Sequence, residues 1–223
     1  MIKNKKIILI FRICSFVFCT IALMAQFGVF TGNFWASSLL YYTVQSNIMI
    51  WGLFGSLIFF TIIDIINKNH KKSGASYHPK LCATVMLAAM VTLIIFWTVL
   101  APQFEDFAFS LTFNSIGLHL ISPLLILFDY IFFTQRGVLA KTDIWIFTIP
   151  PLGYYIQATI LGFSGVLYPS AEGKEPNHFP YFFIDYYKSG WMVAVYVISI
   201  IICFLFLASL IIYFDNKYSS KKK

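Results

Sequence analysis

The sequence predicts an all-α protein, a polytopic membrane helical bundle of six transmembrane helices with both termini cytoplasmic. Hydrophobic residues form 59% of the 223-residue chain and charged residues only 11%, whereas a soluble domain has about 25% charged residues. The apolar residues fall into six runs long enough to cross a bilayer. All but two of the 16 Lys and Arg residues lie on one side of these runs.

Each run matches the roughly 17–25 mostly apolar residues that a membrane span needs. We place the spans at residues 7–30, 42–67, 81–101, 114–133, 143–163 and 190–214 of a single domain, residues 1–223. The first run follows a lysine cluster, as a signal peptide does, but it is too long for a signal peptide and lacks a clear cleavage site. We therefore expect a retained helix. Pro150-Pro151 should kink or break the fifth helix.

The distribution of basic residues predicts the orientation. Only Lys174 and Lys188 lie in the segments assigned to the outer side, and the other basic residues lie at the termini and in the alternate loops. Because cytoplasmic loops carry the excess of Lys and Arg, both termini should be cytoplasmic in a cell-membrane protein. The long outer loop, residues 164–189, should be functional or well packed. The net charge of +7 then reflects the orientation of the chain in the membrane rather than a nucleic-acid partner. We expect membrane lipids as partners and no nucleic acid, while protein partners are not predicted.

Neither the cysteines nor the histidines form a metal-binding pattern. The four cysteines lie in or beside apolar runs without a CxxC pair, which indicates small buried side chains. His70 and His78 share one basic loop without further ligands, which favours a solvated loop. We predict neither a metal nor a cofactor.

Polar residues within the second span lie on one helical face. Thr43, Ser46 and Asn47 are spaced at i, i+3 and i+4. Such a face must point to the bundle interior or to a water-filled cavity, because lipid offers no hydrogen-bond partner. Packing between helices is the simpler interpretation of these residues, and Thr43 is also a plausible N-cap of the second span.

The fourth span carries a second polar stripe, formed by Ser115, His119, Ser122 and Asp129 at i, i+4, i+7 and i+14. His119 lies five residues after Asn114, which places it roughly 7 Å below the outer end of its helix at about 1.5 Å per residue. Thr43 and His119 can therefore share a level in the outer half of the membrane. A membrane histidine is more often structural or a proton-relay element than a catalytic base.

Charged residues mark the opposite, cytoplasmic end. Arg12, Asp64 and Asp129 lie deep in their spans on that side. We expect a structural charge cluster there, in which Arg12 pairs with Asp129 or with Asp64, since buried charges in a membrane need partners.

Three motifs in order resemble a family of six-helix membrane proteins that includes the androgen-induced-gene protein and the androgen-dependent TFPI-regulating protein, together with bacterial relatives of the Pr-six-Pr type. The first motif is YYTVQSNIMIWG, residues 41–52. The second is LHLISPLLILFDYIFF, residues 118–133, and the third is FPYFFIDYYKSGW, residues 179–191. In the third motif, Phe179 stands where the bacterial relatives have Tyr.

The resemblance implies an intramembrane hydrolase of fatty acid esters, with Thr43 as nucleophile and His119 as its general base. Asn47 would donate to the oxyanion, and Ser46 and Ser122 would support the site. Asp185 would orient His119 only if the third outer loop folds back over the bundle. The substrate would be an acyl ester that enters from the outer leaflet.

Three alternatives to the hydrolase differ in class. A non-enzymatic lipid-binding or scaffold protein would use the same polar residues to hold its helices together. A small-solute transporter is weakened by the lack of an inverted repeat. A rhomboid-type serine protease is weaker still, since no G-x-S-x-G motif is present.

Overall fold

The computed structural model describes residues 4–67, 77–104, 108, 111–168 and 176–220, with side chains described up to 217. Within these ranges the chain is helical except for turns and one isolated antiparallel bridge, Tyr168–Asn177. Its described part contains six helices that are long and apolar enough to cross a membrane, here called spans one to six: Lys5–Gln26, Tyr42–Ile66, Pro79–Gln103, Phe113–Phe133, Lys141–Phe163 and Met192–Lys217. The predicted all-helical bundle of six apolar helices is confirmed.

Some residues used in the sequence argument lie outside the described ranges. They are His70, Lys174 and several of the charged residues of the termini and of the loop after span two. The predicted orientation of the termini therefore stays a prediction.

Spans three and four are not continuous α-helices. Span three is α-helical over Pro79–Ile95, then forms a π-helical turn, Phe96–Leu100, and a 3₁₀ turn, Ala101–Gln103. Span four begins as the short α-helix Phe113–Ile116, passes through a π-helical turn, Gly117–Ile121, and continues as the α-helix Ser122–Phe133.

Span five contains both prolines without a break. Its α-helix runs over Ile144–Phe163 after a 3₁₀ turn, Lys141–Asp143, with Pro150 and Pro151 inside it. Of the kink or break that we expected there, the break does not occur. Membrane helices tolerate proline because neighbouring helices, hydroxyl side chains and small local adjustments satisfy the freed backbone groups. Span six is part of the long α-helix Met192–Ser220.

The packed core lies on spans one to four. In the most apolar windows of spans three and four, 50% and 44% of residues are buried, compared with 17% in each of spans five and six. Spans five and six therefore present most of their apolar surface outward, which suits helices that face lipid.

The segment between spans five and six folds back onto the bundle. Phe179, Phe183 and Ile184 are buried, and the Phe179 ring packs directly against Gly162 in span five. A Cβ at Gly162 would lie 2.3 Å from that ring, so only glycine fits this close approach. The segment after Asn177 thereby covers the end of the bundle at which span two begins.

The predicted charge cluster at the other end is split into two groups. Arg12 is fully buried and donates to both carboxylate oxygens of Asp129, at 2.7 and 3.0 Å, and to the Thr61 hydroxyl at 2.9 Å. Asp64 lies in a second group, where it accepts from Lys5 at 3.3 Å and from Tyr77 at 2.8 Å. Lys5 begins span one, and Arg12 lies about two helical turns further along it. Lys5 therefore pairs with Asp64 and Arg12 with Asp129, because each cation bonds the carboxylate at its own depth in the bundle.

Candidate active site

Thr43 and His119 meet across spans two and four. The Thr43 hydroxyl lies 3.1 Å from Nε2 of His119, and Nδ1 of the same ring lies 3.0 Å from the carbonyl oxygen of Ser115. A carbonyl can only accept, so Nδ1 carries the ring proton and the neutral Nε2 is left to accept from the threonine hydroxyl. This network assigns the tautomer in which His119 can act as a base toward Thr43.

Pro123 explains the irregular helix around His119. In an α-helix the carbonyl of His119 would accept from residue 123, but proline has no N–H. The N–H of Ser122 bonds Gly117 in the π-helical turn, so the carbonyl of Leu118 also lacks its usual donor. Asn47 donates to the Leu118 carbonyl at 3.0 Å and the Trp97 indole donates to the His119 carbonyl at 3.2 Å. Neighbouring spans thus complete the bonding of the turn that carries the histidine.

The π-helical turn of span three supports the same ring. Phe96 begins that turn and stacks on His119, with ring centroids 3.5 Å apart and planes inclined by 16°. The Ala101 N–H bonds the Phe96 carbonyl, and Pro102 follows at once. Each π-helical turn is thus followed, one residue later, by a proline. This repeated spacing was the available sequence signal for the two π-helical turns, which we did not predict from the sequence.

The side chains of Ser46 and Asn47 bond the backbone carbonyl of Thr43, and neither bonds its hydroxyl. The Ser46 hydroxyl and the Asn47 amide donate to the Thr43 carbonyl at 3.0 and 2.8 Å. Ser46 also bonds the Thr92 hydroxyl at 2.8 Å, which ties this turn to span three. Thr43 is not the N-cap of span two: that position is Tyr41, and Thr43 is the second helical residue.

Asn47, expected as an oxyanion donor, has both amide hydrogens engaged in this structure. An amide nitrogen has two hydrogens, and those of Asn47 bond the carbonyls of Thr43 and Leu118. Its remaining polar atom, Oδ1, is an acceptor and is buried without a hydrogen bond. Asn47 therefore joins spans two and four and has no donor left for a ligand.

Asp185 does not orient His119, although its loop folds back as that role required. Both ring nitrogens of His119 are already engaged, and Asp185 instead caps the one-turn helix Tyr186–Ser189 by accepting from the N–H groups of Tyr187 and Lys188 at 3.0 Å. Ser122 is fully buried and lies 3.5 Å from the Cys19 sulfur, so it packs span four against span one.

Tyr181, which sequence reasoning did not single out, reaches the other side of Thr43. Its phenol interacts with the Thr43 side chain and with the backbone of Tyr42 and Thr43, at the start of span two. Burial raises the pKa of Tyr181 and these contacts oppose that shift, so the phenol stays protonated at neutral pH. A protonated phenol at a helix N-terminus can donate to negative charge that develops near Thr43.

An apolar cavity of about 340 Å³ opens beside Thr43. Spans three, five and six form its walls, and Tyr181, Phe183 and Ile184 close it at the Thr43 end. This volume lies within the roughly 300–1,000 Å³ typical of small-molecule sites. Among the described residues, no group of three or more His, Cys, Asp or Glu side chains is placed to hold a metal ion.

Comparison with known proteins returned no relative. No protein-family model matches the chain, and no curated protein or solved structure shows significant similarity to it.

Proposed function

We propose that this multi-pass membrane protein is a threonine hydrolase of lipid-like fatty acid esters, with Thr43 as nucleophile and His119 as general base. The observation that supports it is the 3.1 Å contact between the Thr43 hydroxyl and the unprotonated Nε2 of His119, beside an apolar cavity. The resemblance to the androgen-induced-gene family is consistent with the same two residues and belongs to this proposal.

In the acylation step, Nε2 of His119 takes the hydroxyl proton as the Thr43 oxygen forms a bond to the ester carbonyl carbon. The tetrahedral intermediate collapses, the ester C–O bond breaks, and the leaving alcohol takes the proton from Nε2. Water then attacks the acyl-threonine and gives a proton to Nε2. The free acid departs, and the Thr43 oxygen recovers that proton.

Negative charge on the carbonyl oxygen needs donors. The Tyr181 phenol and the backbone N–H groups at the start of span two lie beside Thr43 and are our candidates. The Ser115 carbonyl takes the place that a carboxylate has in a serine triad, because it holds Nδ1–H and so sets the ring orientation.

The distribution of basic residues in the sequence extends the proposal to topology. In a cell membrane with both termini cytoplasmic, the Thr43 end of the bundle faces outward and the Arg12–Asp129 pair lies toward the cytoplasm. The ester would then arrive from the outer leaflet.

The competing proposal is a non-enzymatic lipid-binding protein. It is favoured by the hydrogen bonds of His119: its two ring nitrogens bond the Thr43 hydroxyl and the Ser115 carbonyl, and neither bonds a carboxylate. In such a protein the Thr43–His119 bond would only join spans two and four.

A fluorophosphonate probe separates these proposals, because an activated hydroxyl oxygen forms a bond to its phosphorus and fluoride leaves. The purified full chain should be labelled on Thr43, and Thr43→Ala and His119→Ala should abolish labelling. Thr148→Ala is the matched control, because Thr148 lines the same cavity but donates to the Trp145 carbonyl at 2.8 Å. An unlabelled wild type, or labelling that survives both active-site substitutions, would reject the hydrolase.

A further inference from the structure

The hydroxyl groups that line the cavity are nearly all engaged with the protein itself. Five of the seven bond other protein groups: Tyr42 to the Ala88 carbonyl, Thr92 to Ser46, Thr148 to the Trp145 carbonyl, Tyr154 to the Leu40 carbonyl and Tyr155 to Tyr186. The remaining two, Thr43 and Tyr181, interact with each other at one end of the cavity, where Thr43 also bonds Nε2 of His119. The cavity thus offers an apolar body with one polar end.

The cavity is elongated along the helices. Its lining on span five extends from Tyr155 to Trp145, and its lining on span six extends from Val197 to Leu205. At about 1.5 Å per residue these stretches are roughly 12–15 Å long. An extended peptide advances at most about 3.6 Å per residue over three backbone bonds, or roughly 1.2 Å per bond. An extended acyl chain with the same advance per bond needs about ten to twelve carbons to fill this length.

The opening of the cavity faces the direction in which lipid would lie. Three lining residues are strongly exposed: Trp145 and Leu152 of span five, at 73% and 50%, and Ile201 of span six, at 45%. A residue that lines a cavity and is also exposed lies at its mouth. The mouth is therefore lateral, between two helices whose apolar faces point outward.

We infer that this cavity binds a single unbranched fatty acyl chain, which enters sideways between spans five and six and lies along them with its carbonyl group at Thr43 and Tyr181. Leu152 and Ile201 form the lateral gate. The opening extends to Trp145, which lies with the buried Phe204 at the far end of the chain. The chemistry at the carbonyl rests on the proposed function, but occupancy by the chain does not.

Photo-crosslinking in the Thr43→Ala chain tests binding without turnover. The probes are two medium-chain fatty acids, one with a diazirine on its terminal carbon and one with a diazirine next to the carboxyl group, added to the full chain in detergent micelles. The terminal diazirine should label Trp145 and Phe204, and the other should label the Tyr181 end. Labels spread over the outward faces of spans one and two, or the two probes labelling the same place, would overturn the proposal.

Gate substitutions provide the second measurement. Leu152→Trp and Ile201→Trp should each lower labelling inside the cavity by roughly tenfold or more, because an overfilled site binds less well. Ile156→Trp is the matched control: Ile156 is one turn further along span five, is 49% exposed and does not line the cavity. Undiminished labelling in both gate variants, with all three proteins monodisperse, would contradict a lateral gate.

The two proposals can fail separately. Correctly placed crosslinks in a chain that no fluorophosphonate labels would leave the acyl site standing and remove the hydrolase. A labelled Thr43 with crosslinks outside the cavity would leave the hydrolase standing and remove the acyl site.

Discussion

The Phe96 ring lies face to face with the His119 imidazole, their centroids 3.5 Å apart, and each residue belongs to a π-helical turn of its own span. Phe96 is buried. The ring therefore limits the rotation of the imidazole while Ser115 holds Nδ1 and Thr43 approaches Nε2. π-Helical turns occur often at functional sites, because the extra residue redirects the side chains around it.

Replacing Phe96 by Leu should loosen His119 while keeping an apolar side chain. We expect fluorophosphonate labelling to slow by about 10- to 100-fold, since small misplacements of a catalytic group are costly. Phe59→Leu, at an exposed position of span two, is the control. Stopped labelling reactions analysed by in-gel fluorescence give the rates, and equal rates for the two variants would show that the stacking has no role in the reaction.

Pro123→Ala tests the origin of the turn that carries His119. The new N–H can bond the His119 carbonyl, compete with Trp97 and favour an ordinary α-helix, which would rotate His119 relative to Thr43. We expect slower labelling together with equal or higher thermal stability, because proline in a helix interior is unfavourable by about 3 kcal/mol. Pro150→Ala in span five is the control, because Pro150 does not line the cavity, and it should leave the labelling rate unchanged. Wild-type labelling of Pro123→Ala would argue against the role of the proline.

Tyr181→Phe removes the proposed oxyanion donor and keeps the ring. The loss of one such donor lowers rates by about 100- to 1,000-fold. The comparison variant is Tyr187→Phe, whose side chain is 62% exposed. Second-order labelling constants should separate the two, and a Tyr181→Phe protein that reacts like the comparison variant would leave only the backbone N–H groups as candidates.

The buried pair Arg12–Asp129 should show its role in a double-mutant comparison. Arg12→Met leaves the carboxylate of Asp129 buried without its bidentate partner, which costs about 3–5 kcal/mol. Asp129→Leu added to Arg12→Met removes that stranded charge and should recover most of the loss. Thermal unfolding in detergent measures both, and a double variant no more stable than Arg12→Met would mean that the pair does more than neutralise buried charge.

Asp215 organises the loop between spans four and five. One of its carboxylate oxygens accepts from the N–H groups of Gly137, Val138 and Leu139, at 2.9, 2.9 and 3.0 Å. Bonds to a charged group contribute about 1.5–3 kcal/mol each, so Asp215→Ala should loosen the loop. Trypsin should then cut after Arg136 much faster. Ser209→Ala, at an exposed position of the same helix, should leave the cleavage rate at the wild-type level.

The lengths of the hydrophobic runs predicted the six helices well. The predicted spans 42–67 and 114–133 match the observed helices Tyr42–Ile66 and Phe113–Phe133 within one residue at each end. This agreement has a simple cause, because a chain in lipid must satisfy its backbone groups within each helix. The polar face of Thr43, Ser46 and Asn47 also points inward, as its spacing indicated.

Helical spacing could not assign the partners of these polar groups. We expected Asn47 to donate to a ligand, but its two amide hydrogens bond the carbonyls of Thr43 in span two and Leu118 in span four. We considered Asp185 as a partner for His119, but its carboxylate accepts from the N–H groups of Tyr187 and Lys188 in the one-turn helix that it caps. Competition for buried hydrogen bonds depends on which atoms are closest in space, and spacing along one helix carries no such information.

By itself, the sequence determined the number, length and inward faces of the helices, because these follow from hydrophobicity and from backbone bonds within each span. Only the tertiary structure decided that Thr43 meets His119 and that the ring of Phe96 lies across it. It also decided that Tyr181 closes the cavity from a distant loop. These relationships join residues far apart in the chain, and their distances arise only when the helices pack and the backbone groups released beside Pro102 and Pro123 find new partners.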